Sequence, residues 1–162
     1  DLVKINLTDT TYLIDSPGIK SKGNIINFLD FKLIKKINSD KKIQASTYQL
    51  SNLQTIFVSS FIKIDISCKY KQGFTFYFPS CLKLNRYKTI NALESIKNEI
   101  TYLKVKDENI DYDKLKSQVF ILDNKSYYDI VIEGLGFIRA KNSKIVIQTY
   151  DGVNIFKRKS II

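Results

Sequence analysis

The residues best placed to do chemistry are Asp15, Ser16, Pro17 and Gly18, which cut off the apolar run Tyr12-Leu13-Ile14. β-forming residues that stop at a carboxylate and then meet Ser-Pro-Gly predict a strand with Asp15 at its tip and a turn behind it. In P-loop nucleotide-binding proteins a carboxylate so placed organises Mg²⁺, directly or through water, and backbone N–H groups of the following loop face the γ-phosphate. Gly18 would let that backbone come close. Taken alone, the same residues also close an ordinary β-hairpin. The sequence has no histidine, which removes Ser-His-Asp and Cys-His chemistry, and Cys68 and Cys81 alone cannot supply a four-ligand zinc site of the common kind. Asp107, Glu108, Asp111 and Asp113 resemble a calcium loop only superficially, because the glycine and terminal glutamate of that loop are missing.

A second group of residues interleaves aromatics with cations: Lys69-Tyr70-Lys71, Arg86-Tyr87-Lys88, and Phe156 followed by Lys157-Arg158-Lys159. Aromatic faces stack on unpaired bases while cations follow phosphates, so these are candidate RNA-binding residues. The same pattern arises when aromatics pack a sheet and lysines form its solvated rim.

The elements that must position these residues follow from periodicity. Asp1 to Asn6 alternates as a strand, Thr8-Asp9-Thr10 turns, and Tyr12 to Ile14 returns. Asn24 can cap a helix whose apolar face is Ile25, Ile26, Phe28, Leu29, Leu33, Ile34 and Ile37. Polar residues 38–42 mark a change of period, and a domain boundary is expected after Ile37. Strands are predicted within 43–50, 53–67, 74–78 and 81–87. A helix is predicted over 89–105, with Ile90, Leu93, Ile96, Ile100 and Leu103 as its seam. Strands return at 118–122, 127–133, 137–140, 144–148 and 153–157, separated by short turns, as in an antiparallel sheet or barrel. The expected fold is α+β: residues 1–37 form one unit and 38–162 a basic, β-rich second.

Composition agrees with a folded chain. Of 162 residues 44% are hydrophobic, yet no uncharged run is long and apolar enough to cross a bilayer as a helix. The formal charge is +10; the balance is 6 basic against 4 acidic residues up to Ile37 and 20 against 12 beyond it, so the positive field belongs to the second unit. A partner bearing phosphates is the natural inference. Both cysteines read as small buried hydrophobes in a reducing compartment.

Four motifs give these features a family context: Asp15-Ser16-Pro17-Gly18-Ile19, Tyr48-Gln49-Leu50 followed by Gln54-Thr55, Gly134-Leu135-Gly136-Phe137, and Gly152-Val153 with Phe156 to Ile162. In order and spacing the chain resembles the YqeH family of circularly permuted GTPases, from the third GTPase motif onward. The resemblance implies that residues 1–37 belong to a GTPase domain, including its switch II region, and that 38–162 bind rRNA during small (30S) ribosomal subunit assembly. It implies GTP and Mg²⁺ as ligands of the intact protein, with Asp15, Ser16, Pro17 and Gly18 at the nucleotide and Asp15 at the metal. It also implies a location in the bacterial cytoplasm, or in a plastid or mitochondrion. Asp1, which is not Met, suits a piece of a longer protein. The sequence contains neither Gly-Lys-Ser/Thr nor Asn-Lys-x-Asp, so this piece is expected to be inactive by itself and to hold no cofactor. Ile19 stands where Ras-like enzymes carry a water-orienting Gln, which implies a slow parent enzyme. Three departures stand out: Ser59-Ser60 where the family usually has paired glycines, Asn85 for a customary His, and Phe137 for Trp. The rival expectation is a protein-interaction module whose basic sheet meets an acidic partner without touching RNA.

Overall fold

The computed structural model describes residues 3–6, 12–15, 21–39, 42–102 and 111–162. Alternation between apolar and polar residues sets most of what is seen there. β1 (Val3–Asn6) and β2 (Tyr12–Asp15) pair as an antiparallel hairpin with Val3 opposite Asp15, as the opening alternation predicts.

Among the described residues, ten further strands form two five-stranded antiparallel sheets. One has the order β12 (Ile155–Lys159), β9 (Tyr128–Ile132), β10 (Gly136–Ala140), β6 (Gln72–Pro79), β3 (Ile43–Leu50). The other runs β7 (Leu84–Lys88), β4 (Gln54–Val58), β5 (Ile62–Ser67), β11 (Ser143–Thr149), β8 (Lys116–Leu122). Their inner faces share one core: Phe74, Phe76, Ile130 and Ile138 of the first sheet lie in the same buried cluster as Ile56, Ile64, Ile66, Ile145 and Ile147 of the second. The expectation of an antiparallel sheet or barrel thus resolves into a two-layer sandwich. Each fully buried Ile or Phe contributes on the order of 1.5–3 kcal/mol to that packing. In β5 the alternation works residue by residue: Ile62, Ile64 and Ile66 enter the core, while Lys63 and Asp65 turn outward and pair with each other.

Two expectations about helices need correction. The single helix read from Asn24 to Ile37 is broken. Asn24 caps a 3₁₀ turn, Ile25–Phe28, by accepting the Ile26 N–H at 3.0 Å. Asp30 then accepts the Leu33 N–H at 2.9 Å and starts a separate helix α1, Phe31–Ser39. A short acidic side chain that bonds to backbone three residues on favours a new start over continuation. The seam predicted for the second helix holds at Ile96 but not at Ile90 and Leu93; Leu103 lies outside the described residues. Thr89–Asn91 is a 3₁₀ turn and α2 begins at Ala92, running to Tyr102. The tighter opening turn changes the phase, so Ile90 (89% exposed) and Leu93 (39%) face solvent, while Ala92 and Ile96 are buried against Phe57. The strand expected from Cys81 begins only at Leu84, because Pro79 accepts the Leu82 N–H in a turn.

Residues 21–39 pack on the sandwich. Ile25 and Ile37 are buried in the sheet core, and Phe28 stacks on Tyr150 with centroids 6.0 Å apart. Cys68 and Cys81 are both thiols; Cys68 is buried and donates to Leu50 O at 3.7 Å. No helix among the described residues is long and apolar enough to cross a membrane.

Candidate nucleic-acid interface

Asp15 ends β2, as the strand-tip argument requires. Ser16, Pro17, Gly18 and Ile19 lie outside the described residues. For the nucleotide and Mg²⁺ expectation, the described residues show only that Asp15 closes β2.

The sandwich brings the cationic candidates together through its register. Leu50 pairs with Gln72, Gln54 with Lys88, Ser67 with Lys144, Ser143 with Leu122, and Tyr128 with both Ala140 and Lys159. The loops 51–53, 68–71, 123–127 and 141–142 therefore sit at one end of the molecule. Hydrogen bonds tie them to one another: Gln72 Nε2 donates to Lys141 O and Asn142 O, both at 3.0 Å, and the Asn142 N–H donates to Asp123 O at 2.7 Å. The Thr89 N–H reaches Leu53 O, and the Ser160 N–H reaches Tyr127 O, both at 3.0 Å. Lys69, Lys71, Lys88, Lys125, Lys141, Lys144 and Lys159 stand at this end with one acidic residue in its loops, Asp123. The Asp123 carboxyl is held below its ordinary value, first by the Lys125 backbone N–H and then by the Tyr128 hydroxyl, and these two bonds fix the turn.

The candidate residues differ in their settings. Tyr70 is exposed in the β5–β6 loop, with Lys69 Nζ 5.3 Å from its ring centroid. Tyr87 turns onto Phe57, edge to face at 6.0 Å, whereas Arg86 and Lys88 alternate to exposed positions on the edge strand β7. On β12, Lys157 Nζ lies 5.1 Å from the Tyr128 ring centroid and donates to Ile121 O at 3.3 Å. Arg158 Nε is 3.4 Å from the buried carboxylate of Asp129.

Residues 21–39 join the sandwich at its other end. The Ile25 N–H donates to Glu133 O at 3.0 Å, and the Asn154 N–H donates to Gly23 O at 2.8 Å. Gly134 belongs to this contact: at φ +81° it leaves no room for a Cβ beside the Asn24 amide that caps the 3₁₀ turn. Gly136 is required by the Tyr77 carbonyl of β6, which a Cβ would strike. Of the family departures, Ser59 has a left-handed backbone (φ +48°), where glycine is at ease, and the Ser60 carbonyl accepts from the Tyr112 hydroxyl at 2.9 Å.

Sequence reading missed a group on the outer face of the first sheet. Phe137 and Tyr77 stack at 4.5 Å with planes 16° apart, and Arg139 lies 4.4 Å from the ring centroid of Tyr127. Because these residues come from β6, β10 and the loop before β9, no contiguous motif announces them; the alternation along β6 and β10 was the available signal.

Fold and site define the chain as a mainly antiparallel α+β protein with two α-helices among its described residues and a lysine-rich end. No family model matches it. Over its whole length it is similar to a curated protein of Bacillus subtilis (strain 168), "Uncharacterized protein YqeH", with 28% identity across 167 aligned residues. The chain is thus related to YqeH from end to end, as its motifs indicated, and it spans 45% of that relative's length.

Proposed function

We propose that this chain is the part of a circularly permuted GTP-binding protein that follows the P-loop, and that it serves small ribosomal subunit assembly with its sandwich as the rRNA-binding unit. The observation carrying the RNA reading is the convergence of Lys69, Lys71, Lys88, Lys141 and Lys159 on one end, distant in sequence and gathered by strand register. In the intact protein Asp15 would hold Mg²⁺ through water, and Ser16, Pro17 and Gly18 would contribute to binding the nucleotide. Residues 21–39 follow that loop in sequence and pack on the sandwich, so GTP state would reach the RNA-binding end through the core that Ile25 and Ile37 enter. The partners are the small subunit and its rRNA.

Filter binding of the chain to 16S-type RNA fragments over a salt series tests the reading. Neutralising each phosphate contact adds about 0.7–0.9 to the log–log salt slope, and affinity independent of salt removes the phosphate term. GTP turnover by the 162-residue chain alone would refute the assignment of the phosphate cradle to residues outside it.

A second reading, a protein-interaction module, has its own observation. Leu53 (60% exposed, φ +57°) and Ile90 flank an apolar recess of about 480 Å³ at the same lysine-rich end. Competition separates the two: structured rRNA displaces bound RNA better than a generic polyanion only if the RNA reading holds.

A further inference from the structure

The outer face of the sheet β12-β9-β10-β6-β3 is an open platform. Register places Phe156, Val131, Phe137, Tyr77 and Ala45 side by side in one row across all five strands. The next row is Arg158, Asp129, Arg139, Thr75 and Thr47. Every residue of both rows except Asp129 keeps solvent access, and α2 packs instead on the other sheet, at Phe57.

The rings and cations are already arranged in pairs. The Arg158 guanidinium lies 5.6 Å from the centroid of Phe137, which in turn stacks on Tyr77. Arg139 and Lys141 lie 4.4 and 4.6 Å from the centroid of Tyr127. Phe156 is 47% exposed and Tyr127 40%. The acidic group of these rows, Asp129, is fully buried and held by Arg158 and by the Ile161 N–H at 3.3 Å, so it offers no negative charge to a ligand. The apolar row is bordered on one side by arginines and by the hydroxyls of Thr47 and Thr75, hydrogen-bonded at 2.9 Å, and on the other the register carries Ile43, 57% exposed, opposite Pro79.

We infer that this face binds single-stranded RNA, with unpaired bases stacking on Phe156, the Phe137–Tyr77 pair and Tyr127, and with Arg139, Arg158 and Lys141 meeting the phosphates. This rests on the RNA reading above and specifies which form of RNA is taken. A duplex keeps its base faces stacked internally and cannot use the rings; an unpaired strand can.

The test is fluorescence anisotropy of the full chain with a labelled single-stranded 12-mer RNA and with a blunt duplex of the same sequence. Phe156→Ala and Tyr127→Ala, at half-exposed positions, are expected to weaken single-strand binding about 5- to 150-fold per ring, with the salt slope unchanged. Duplex binding stays at the wild-type level. Lys69→Ala with Lys71→Ala lowers affinity for both RNAs and reduces the salt slope. If neither RNA binds the wild type, the RNA reading itself falls. If RNA binds with a salt slope but the ring variants bind the single strand like wild type, or the duplex binds as tightly as the single strand, the platform falls and the RNA reading survives. A dimer that Phe156→Ala abolishes would assign the face to a second copy and overturn the inference.

Discussion

Whether residues 21–39 fold with the sandwich or as part of a separate unit can be decided at Ile25. Its side chain is fully buried in the sheet core, and its N–H donates to Glu133 O at 3.0 Å. Ile25→Ala leaves that backbone bond in place and removes three carbons. At about 0.8 kcal/mol per buried CH₂ the transfer loss is roughly 2.4 kcal/mol. The cavity left behind raises the total to about 3–4 kcal/mol, within the range for Ile→Ala in cores. At roughly 2–4 °C per kcal/mol for a chain of this size, Tm should fall by about 6–16 °C. Urea unfolding followed by far-UV circular dichroism and tyrosine fluorescence measures the loss, with one transition by both probes and an unchanged m value. Ile90→Ala, at an exposed position, should stay within about 0.5 kcal/mol of wild type. A loss below about 1 kcal/mol for Ile25→Ala, or a second transition confined to residues 21–39, would refute integration and support a boundary after Ile37.

Other positions give sharper local tests. Ser59→Gly relieves a left-handed backbone costing about 1–2 kcal/mol and adds an unfolded-state penalty of about 0.5–1 kcal/mol, for a net gain near 0.5–1 kcal/mol in urea melts. Gly136→Ala forces β10 away from the Tyr77 carbonyl and should cost at least about 2 kcal/mol, whereas Gly73→Ala meets only ordinary contacts, the nearest being Gln49 Nε2 at 3.4 Å, and should change stability by less than about 1 kcal/mol. The Glu133 carboxyl is held below its ordinary value, first by the Ser21 side chain and then by Asn154. Its stabilisation is therefore present above the ordinary carboxylate value and is lost as pH falls through the lowered one. Hydrogen exchange at the Ile25 amide, corrected for intrinsic rate, should report weaker protection on that acid side, and Glu133→Gln should flatten the dependence.

Much of the sandwich was legible because its strands carry their own signal. Ile62-Lys63-Ile64-Asp65-Ile66 announces inner and outer faces without help from tertiary context, and the Asp123, Asn142 and Gly152 turns fall where their residues demand. What escaped was phase. Periodicity cannot see that Thr89–Asn91 winds as a 3₁₀ turn, and that turn alone sends Ile90 outward and brings Ala92 inward. In the same way Asp30 reads as a polar position on a helix until its carboxylate is found capping Leu33. The candidate site divides along similar lines. Lys69-Tyr70-Lys71 and Lys157-Arg158-Lys159 are contiguous and visible, but their convergence with Lys88 and Lys141 depends on a register no local pattern specifies. The Phe137–Tyr77 stack joins residues sixty positions apart in sequence through the β10–β6 pairing, so it exists only once the sheet does.

The strand order sets a timetable for biosynthesis. β3 and β12, the first and last strands of the sandwich, occupy opposite margins of the same sheet. A ribosome making this chain releases β3 and β6 long before β10 arrives to extend them, and β9 keeps a bare edge until Ile155–Lys159 emerges. Such distant pairings slow acquisition of structure, and truncation ahead of β12 would leave the β9 edge open to strands of neighbouring chains.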